Sequence, residues 1–306
     1  MKKWLKITLI SVSVFLFISG TLMTFLILPV IIKSKMLHPD HEAMYMLPQE
    51  FGMSYDNVTF TTSDGLELKG WYVEPINYTT PNSNITVIVL HGASHSKAFM
   101  LDHYGEGLYD QGFRLFFFDS RNRGESPDTD IGLTWGMEEK KDVKAAVDYV
   151  KAQPEVNASQ VVLFAESQGA ATILLYTAEY NDVACIIADS SWAYGDEMIK
   201  RALPLRSGFP WKVFGQITVA LTERAYGYSF ADISPAAVAF DIQVPTFIIH
   251  GKNDTDINQA DAYTIFSALP GSIDKFIWRL DGRGHVEAYL DPYYFINVTQ
   301  FIINNI

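Results

Sequence analysis

The nine residues Val161–Gly169, VVLFAESQG, restrict the fold more than any other stretch of the chain. An apolar run rich in β-branched residues stops at Ala165-Glu166-Ser167-Gln168-Gly169. A helix-forming run, Ala170 to Tyr176, follows without a linker. A buried strand that becomes a helix within about five residues needs a very tight turn. Small residues two before and two after the central serine let the two backbones pass closely. The pattern is G-x-S-x-G with Ala165 in place of the first glycine, a change of one methyl group. Such a turn sets the serine on a strained backbone with its hydroxyl at the end of a sheet. The plainer alternative is a serine that caps the helix, and the rest of the chain decides between them.

The surrounding sequence alternates strands and helices. After two strands joined by a Ser63-Asp64-Gly65 turn, apolar strands are expected at 85–90, 113–118, 161–164, 183–188, 246–250 and 275–280. Helices are expected at 96–110, 137–152, 257–269 and 292–303. Alternation of this kind implies a mostly parallel, doubly wound sheet with helices on both faces, whose site forms at the carboxyl ends of the strands. The polar clusters His91-Gly92-Ala93, Asp119–Ser126, Asp189–Ser191, Gly251–Asp254 and Gly282–His285 all fall there. One segment breaks the rhythm. From Trp192 to Asp241, with Pro204, Pro210, Trp211 and Phe214 and a helix-like run from Trp211 to Ala225, no strand fits. It reads as a lid over the strand ends, the alternative being a surface excursion.

The N-terminus begins Met1-Lys2-Lys3-Trp4-Leu5-Lys6, and Ile7 to Ile32 carries no charge. That exceeds the roughly 20 residues that span a bilayer and the apolar core of a signal peptide. Residues 1–33 are therefore expected to be a retained single-pass anchor, with Pro29 kinking or ending its helix. Residues 34–55, with Pro39 and Pro48, read as a stalk, and 56–306 as the catalytic domain with a lid at about 192–241. Lys2, Lys3 and Lys6 before the span against Lys33 and Lys35 after it favour a cytoplasmic N-terminus and an extracytoplasmic domain. A cleaved signal peptide with Ser19-Gly20 near the cut is the alternative. A net charge of −12 excludes a nucleic-acid backbone as partner. Cys185 is the only cysteine, so no intrachain disulfide forms, and its apolar neighbours make it a buried, inert thiol. No zinc or calcium spacing occurs, and no metal or organic cofactor is implied. Nothing in the sequence sets an oligomeric state.

From about Asn57 onward the chain resembles the α/β-hydrolase fold of serine hydrolases. More narrowly, it is similar to bacterial membrane-anchored members with a short lid, esterase-like or dienelactone-hydrolase-like. The motifs that carry the resemblance are His91-Gly92, Asp119-x-Arg121-x-x-Gly124-x-Ser126, Ala165-x-Ser167-x-Gly169, His250-Gly251-x-x-Asp254 and Gly284-His285. The fold's chain order of nucleophile, acid and base is met by Ser167, Asp254 and His285. Ser167 would attack, His285 would take and return its proton, and Asp254 would orient the imidazole. Asp256 and Asp189 are rival acids; Asp189 is more simply a residue that orders the elbow or the lid root. The resemblance gives the oxyanion donors as the backbone N–H groups of Gln168 and Ala93. It makes His91 a packing residue of the loop. His95 and Lys97 are placed at the pocket rim, Asp119, Arg121 and Arg123 in a bracing network, and Glu166 is either solvent-facing or tunes the site.

The expected function is cleavage of carboxylic esters through an acyl-enzyme, on small-molecule or lipid-like acyl substrates near the membrane. The same triad serves a serine peptidase, an acyltransferase or a thioesterase, and a membrane-tethered binding protein on a hydrolase fold is the reading from another class.

Overall fold

Period-two alternation of side chains explains why the strands are apolar throughout rather than on one face. In the parallel strands β3 (Thr86–Leu90), β4 (Arg114–Phe118), β5 (Val161–Glu166), β6 (Cys185–Asp189) and β7 (Thr246–Gly251), residues such as Ile88, Phe116, Leu163, Ile186 and Ile248 point to one face. They pack there on α4 (Glu139–Lys151), α5 (Ser167–Tyr180), α8 (Pro235–Val238) and α9 (Ala260–Ala268). Val87, Leu115, Val162, Ile187 and Phe247 point to the other face. That side is covered by α2 (Lys97–Met100), α3 (Glu106–Asp110) and α10 (Tyr294–Asn304). A wide π-type turn at Leu101–Gly105 joins α2 to α3. This is a computed structural model, and it describes residues 2–38, 41–208 and 211–306. Pro39 and Pro210, and the side chains of Lys2 and Lys3, lie outside the described residues.

The eight strands form one sheet in the order β1-β2-β4-β3-β5-β6-β7-β8, with β1 (Tyr55–Thr61), β2 (Glu67–Val73) and β8 (Lys275–Leu280) completing it. β1 and β2 are antiparallel, and β2 is antiparallel to β4; the other pairings are parallel. This is the α/β-hydrolase fold, a mostly parallel sheet wrapped on both faces. Register aligns Leu90 with Ala165 and with Phe118, and Glu166 with Asp189. The loops that begin at His91, Asp119, Ser167 and Ser190 therefore leave the sheet along one edge.

Two segments differ from the sequence expectation. The N-terminal helix α1 runs from Lys2 to Leu37, so it continues past Pro29 instead of ending there. Pro29 lacks the N–H that would bond the Phe25 carbonyl, but the turns beyond it are held by packing. Its stretch Lys6–Leu37 is long and apolar enough to cross a membrane, with only 11% of its most apolar window buried. The stretch read as a stalk is fastened down: His41 bonds Asp128 and the Gly124 carbonyl, and Glu42 accepts from the Ser96 N–H and hydroxyl.

Between β6 and β7 no strand occurs among the described residues. The insertion holds α6 (Gly195–Ser207), a π-type turn at Trp211–Gly215 and α7 (Gln216–Tyr226). Helix α6 was hidden by Pro204, which it carries in its last turns. Ile32 and Leu37 of α1 share one buried cluster with Trp135, Trp192, Met198, Leu203, Phe214 and Tyr226. The Leu37 carbonyl accepts the Leu133 N–H at 2.8 Å. The C-terminal turns of α1 are thus part of the core under the insertion.

Candidate active site

The turn after β5 has the strain that the sequence implied. Ser167 has φ +49°, a left-handed conformation that costs an L-residue about 1–3 kcal/mol and persists only where the surroundings enforce it. Gly169 shows how close the backbones pass. A Cβ there would lie 2.6 Å from the His91 carbonyl oxygen and 2.8 Å from that of Leu90. Ala165, the departure from G-x-S-x-G, is fully buried, and its methyl joins the core. Ser190 and Val286 also have positive φ, +59° and +50°. For β-branched Val286 this is a genuine outlier, and it lies directly after His285.

Ser167 Oγ is 2.9 Å from His285 Nε2, and His285 Nδ1 is 2.7 Å from Asp254 Oδ2. A proton on Nδ1, donated to the carboxylate, leaves Nε2 free to accept from the serine hydroxyl. Asp254 is held on every side. His250 Nε2 lies 3.1 Å from the same Oδ2, and Oδ1 accepts the N–H groups of Asp256 and Ile257, each at 2.8 Å. Burial would raise the Asp254 pKa, but the bonds from His250 and His285 outweigh it and hold the carboxyl well below the usual range. Burial likewise pulls His285 down, and the Asp254 carboxylate more than reverses that, so its pKa rises above 6.5.

His285 Nδ1 is turned to Asp254 and to neither rival acid. Asp256 gives its own N–H to Asp254, and Asp189 accepts from Tyr294 Oη at 2.8 Å and Ser190 Oγ at 2.9 Å. Burial pushes Asp189 up to about 6, against those hydrogen bonds. His91 is buried, bonded to the Gly92 carbonyl at 2.8 Å and to the Ser120 N–H at 3.1 Å. Burial lowers its pKa to about 4, so it is a neutral brace of the loop.

Glu166 is fully buried, which answers the choice its sequence position left open. Its Oε1 accepts the Gly92 N–H at 3.1 Å and lies 2.6 Å from His95 Nδ1. It ties the loop that carries Ala93 to the elbow that carries Ser167. Lys97, expected at the rim, is instead fully buried. Its Nζ lies 2.5 Å from Asp119 Oδ2 and 2.6 Å from Glu125 Oε2, over the Trp71 ring. Arg121 bonds Asp142 and Asp64, which braces the loop as expected. Ala93 lines the cleft beside Ser167, and Gln168 is in the first turn of α5, where backbone N–H groups lack helical acceptors.

A narrow cleft leads to Ser167 and His285. Its walls are Ala93, Trp135, Trp192, Met198, Ala202, Leu205 and Ile257, with Asp256 as the carboxylate among the described residues that line it. The wall residues Met198, Ala202 and Leu205 come from the helix that sequence reading missed. His250 and the Glu166–His95 pair were also missed as working residues. The His-Gly-x-x-Asp spacing was a signal for His250; nothing in the sequence pairs residues 95 and 166.

A family model described as serine aminopeptidase, S33, matches residues 81–235, half of the chain. The chain is 29% identical over 273 residues to the YfhR protein of Salmonella typhi, covering 87% of this chain and 85% of that one. It is 28% identical over 228 residues to the YqkD protein of Bacillus subtilis, covering 74% and 71%. Among solved structures it is similar to the Pyrococcus furiosus esterase Pf2001, with a TM-score of 0.71, 24% identity and coverage of 87% and 98%. It is also similar in fold to an acetyl xylan esterase from Paenibacillus sp. R4, with a TM-score of 0.65, 17% identity and coverage of 91% and 92%.

Proposed function

The chain belongs to the serine aminopeptidase S33 family of α/β-hydrolases, and on that footing we propose that it cleaves carboxylic esters through an acyl-enzyme on Ser167. The observation that carries this reading is the hydrogen-bonded line from Ser167 Oγ through His285 to Asp254, at 2.9 and 2.7 Å, on a serine held at φ +49°. A serine hydroxyl is a weak nucleophile at neutral pH. His285 Nε2 removes its proton as Oγ attacks the acyl carbon, and Asp254 stabilises the imidazolium that results. The negative charge that develops on the carbonyl oxygen is met by the Gln168 and Ala93 N–H groups. His285 then protonates the leaving alcohol. Water, activated by the same imidazole, attacks the acyl-enzyme and restores Ser167.

An apolar cleft with two indole walls suits an acyl chain. The family description gives amide cleavage at a peptide N-terminus as a second reading, and the Asp256 carboxylate in the cleft is what favours it, as a partner for an ammonium group. α1 is read as a single-pass anchor, with the catalytic domain outside the cytoplasm. The test is labelling of the full chain with a fluorophosphonate, beside turnover of p-nitrophenyl esters and aminoacyl p-nitroanilides. Ser167→Ala is expected to abolish labelling and to cut ester turnover by about 10⁴-fold or more. Labelling that persists in Ser167→Ala sinks the nucleophile assignment, and faster anilide than ester cleavage favours the peptidase.

A further inference from the structure

We propose that the insertion at 195–226 docks into the headgroup layer of an anionic bilayer and that the cleft opens onto that layer, so that the substrate is the ester of a membrane-resident amphiphile. This rests on the reading of α1 as a membrane span and of Ser167 as the nucleophile.

Helix α7 runs beside the end of α1 in the same direction. At its lower end the Phe214 ring, just before α7, is 5.3 Å from that of Phe25. At its upper end Ala225 shares a groove with Val30, Lys33, Ser34 and Leu37. The depth of Phe25 in a bilayer therefore sets the depth of the start of α7. Lys6 is the last charge before the apolar run and Lys33 the first after it. A hydrocarbon core of about 30 Å takes roughly 20 helical residues. With Lys6 at one face, that core ends near Leu26. Phe25, and with it Trp211 and Phe214, then lies at the boundary between acyl chains and headgroups. Lys33, Lys35 and Arg224 lie higher, at headgroup level.

The composition of the insertion fits that placement. Leu205 and Ile217 are 61% and 42% exposed, with Trp211 half-buried between them in sequence. Residues 195–226 carry five basic and three acidic side chains, in a chain of net charge −12. A locally basic, apolar-tipped helix pair on an acidic protein is the chemistry that binds an anionic lipid surface. The same residues reach the site: Met198, Ala202 and Leu205 line one wall of the cleft from successive turns of α6. Leu205 both lines the cleft and is exposed, so the mouth is at the end of α6 that leads to Trp211. An acyl chain leaving the bilayer at that depth meets the mouth directly and need not cross water.

The test uses the full chain in vesicles of phosphatidylcholine, with and without phosphatidylglycerol. A polarity-sensitive fluorophore is attached to the Ile217→Cys variant; the native Cys185 is buried and does not compete. Blue-shifted emission, quenched by lipids brominated on the acyl chain close to the headgroup, is expected. Emission as in water, unquenched by those lipids, overturns the docking. In parallel, the Lys212→Glu/Arg224→Glu variant is compared with the parent on p-nitrophenyl palmitate dissolved in the vesicles and p-nitrophenyl acetate in buffer. Palmitate turnover is expected to fall several-fold and acetate turnover to stay unchanged. Equal effects on the two esters, or none on palmitate, overturn the route from the membrane. Failure of the parent to cleave acetate counts against the reading of Ser167 itself and leaves the fluorescence result to judge the docking.

Discussion

Asp254 accepts from two imidazoles and two backbone amides, and that crowd of donors keeps a buried carboxylate ionised. The consequence appears in the pH profile. In the proposed mechanism His285 must be neutral, so activity is expected to rise as pH climbs through an imidazole pKa above 6.5. In Asp254→Asn burial is opposed only by the smaller effects of Glu166 and Asp256, so the acid limb is expected to move to lower pH. Its kcat is expected to fall by about 10⁴-fold, because the tautomer is no longer fixed. An acid limb that stays in place in this variant would assign it to another group. His250→Leu removes one donor from Asp254 and is expected to lower kcat by about tenfold, the cost of roughly one charged hydrogen bond. The hydrogen-bonded grouping of Ser167, Asp254 and His285 was legible because each stands in a short motif after its own strand. Glu166 and His95 were not, since their pairing spans the sheet edge and no local spacing encodes it.

Elements were read where periodicity is strong and missed where a breaker masks it. The strands of the parallel sheet were identifiable because burial on both faces makes them uninterrupted apolar runs. Helix α6 was missed because Pro204 stands inside it, and Pro29 was given too much weight in α1; packing outweighs the lost hydrogen bond in both. The junctions between elements carry sharper expectations. Gly169→Val places a side chain against the Leu90 and His91 carbonyls and is expected to destabilise the fold by about 1–3 kcal/mol, seen as a lower Tm. Lys97→Met leaves Asp119 buried without its cation. That is expected to cost about 3–5 kcal/mol, far more than an exposed lysine would. Unchanged thermal unfolding of Lys97→Met would mean that the Lys97–Asp119 pair adds nothing net to stability.

At the scale of the whole molecule, the C-terminal turns of α1 are packed on the domain and do not form a free tether. Removal of the chain through Gly20 would leave Thr21–Leu37 fixed to the insertion through Ile32, Leu37 and the Phe25–Phe214 contact. With the hydrocarbon core ending near Leu26, a chain cut there would keep only about two turns at acyl-chain depth, so it is expected to leave the membrane fraction in high salt, whereas the full chain is expected to need detergent. Protease added to intact cells is expected to reach the domain; protection would reverse the orientation drawn from Lys2, Lys3 and Lys6. The cleft walls give the molecule one more property. Trp135 and Trp192 stand edge to face, 6.2 Å apart, in the walls of the cleft that leads to Ser167. Emission from two coupled indoles depends on their spacing and on the water near them. Occupation of the cleft should thus be visible as a change in intrinsic fluorescence, which would let acylation and deacylation be timed on the unlabelled protein.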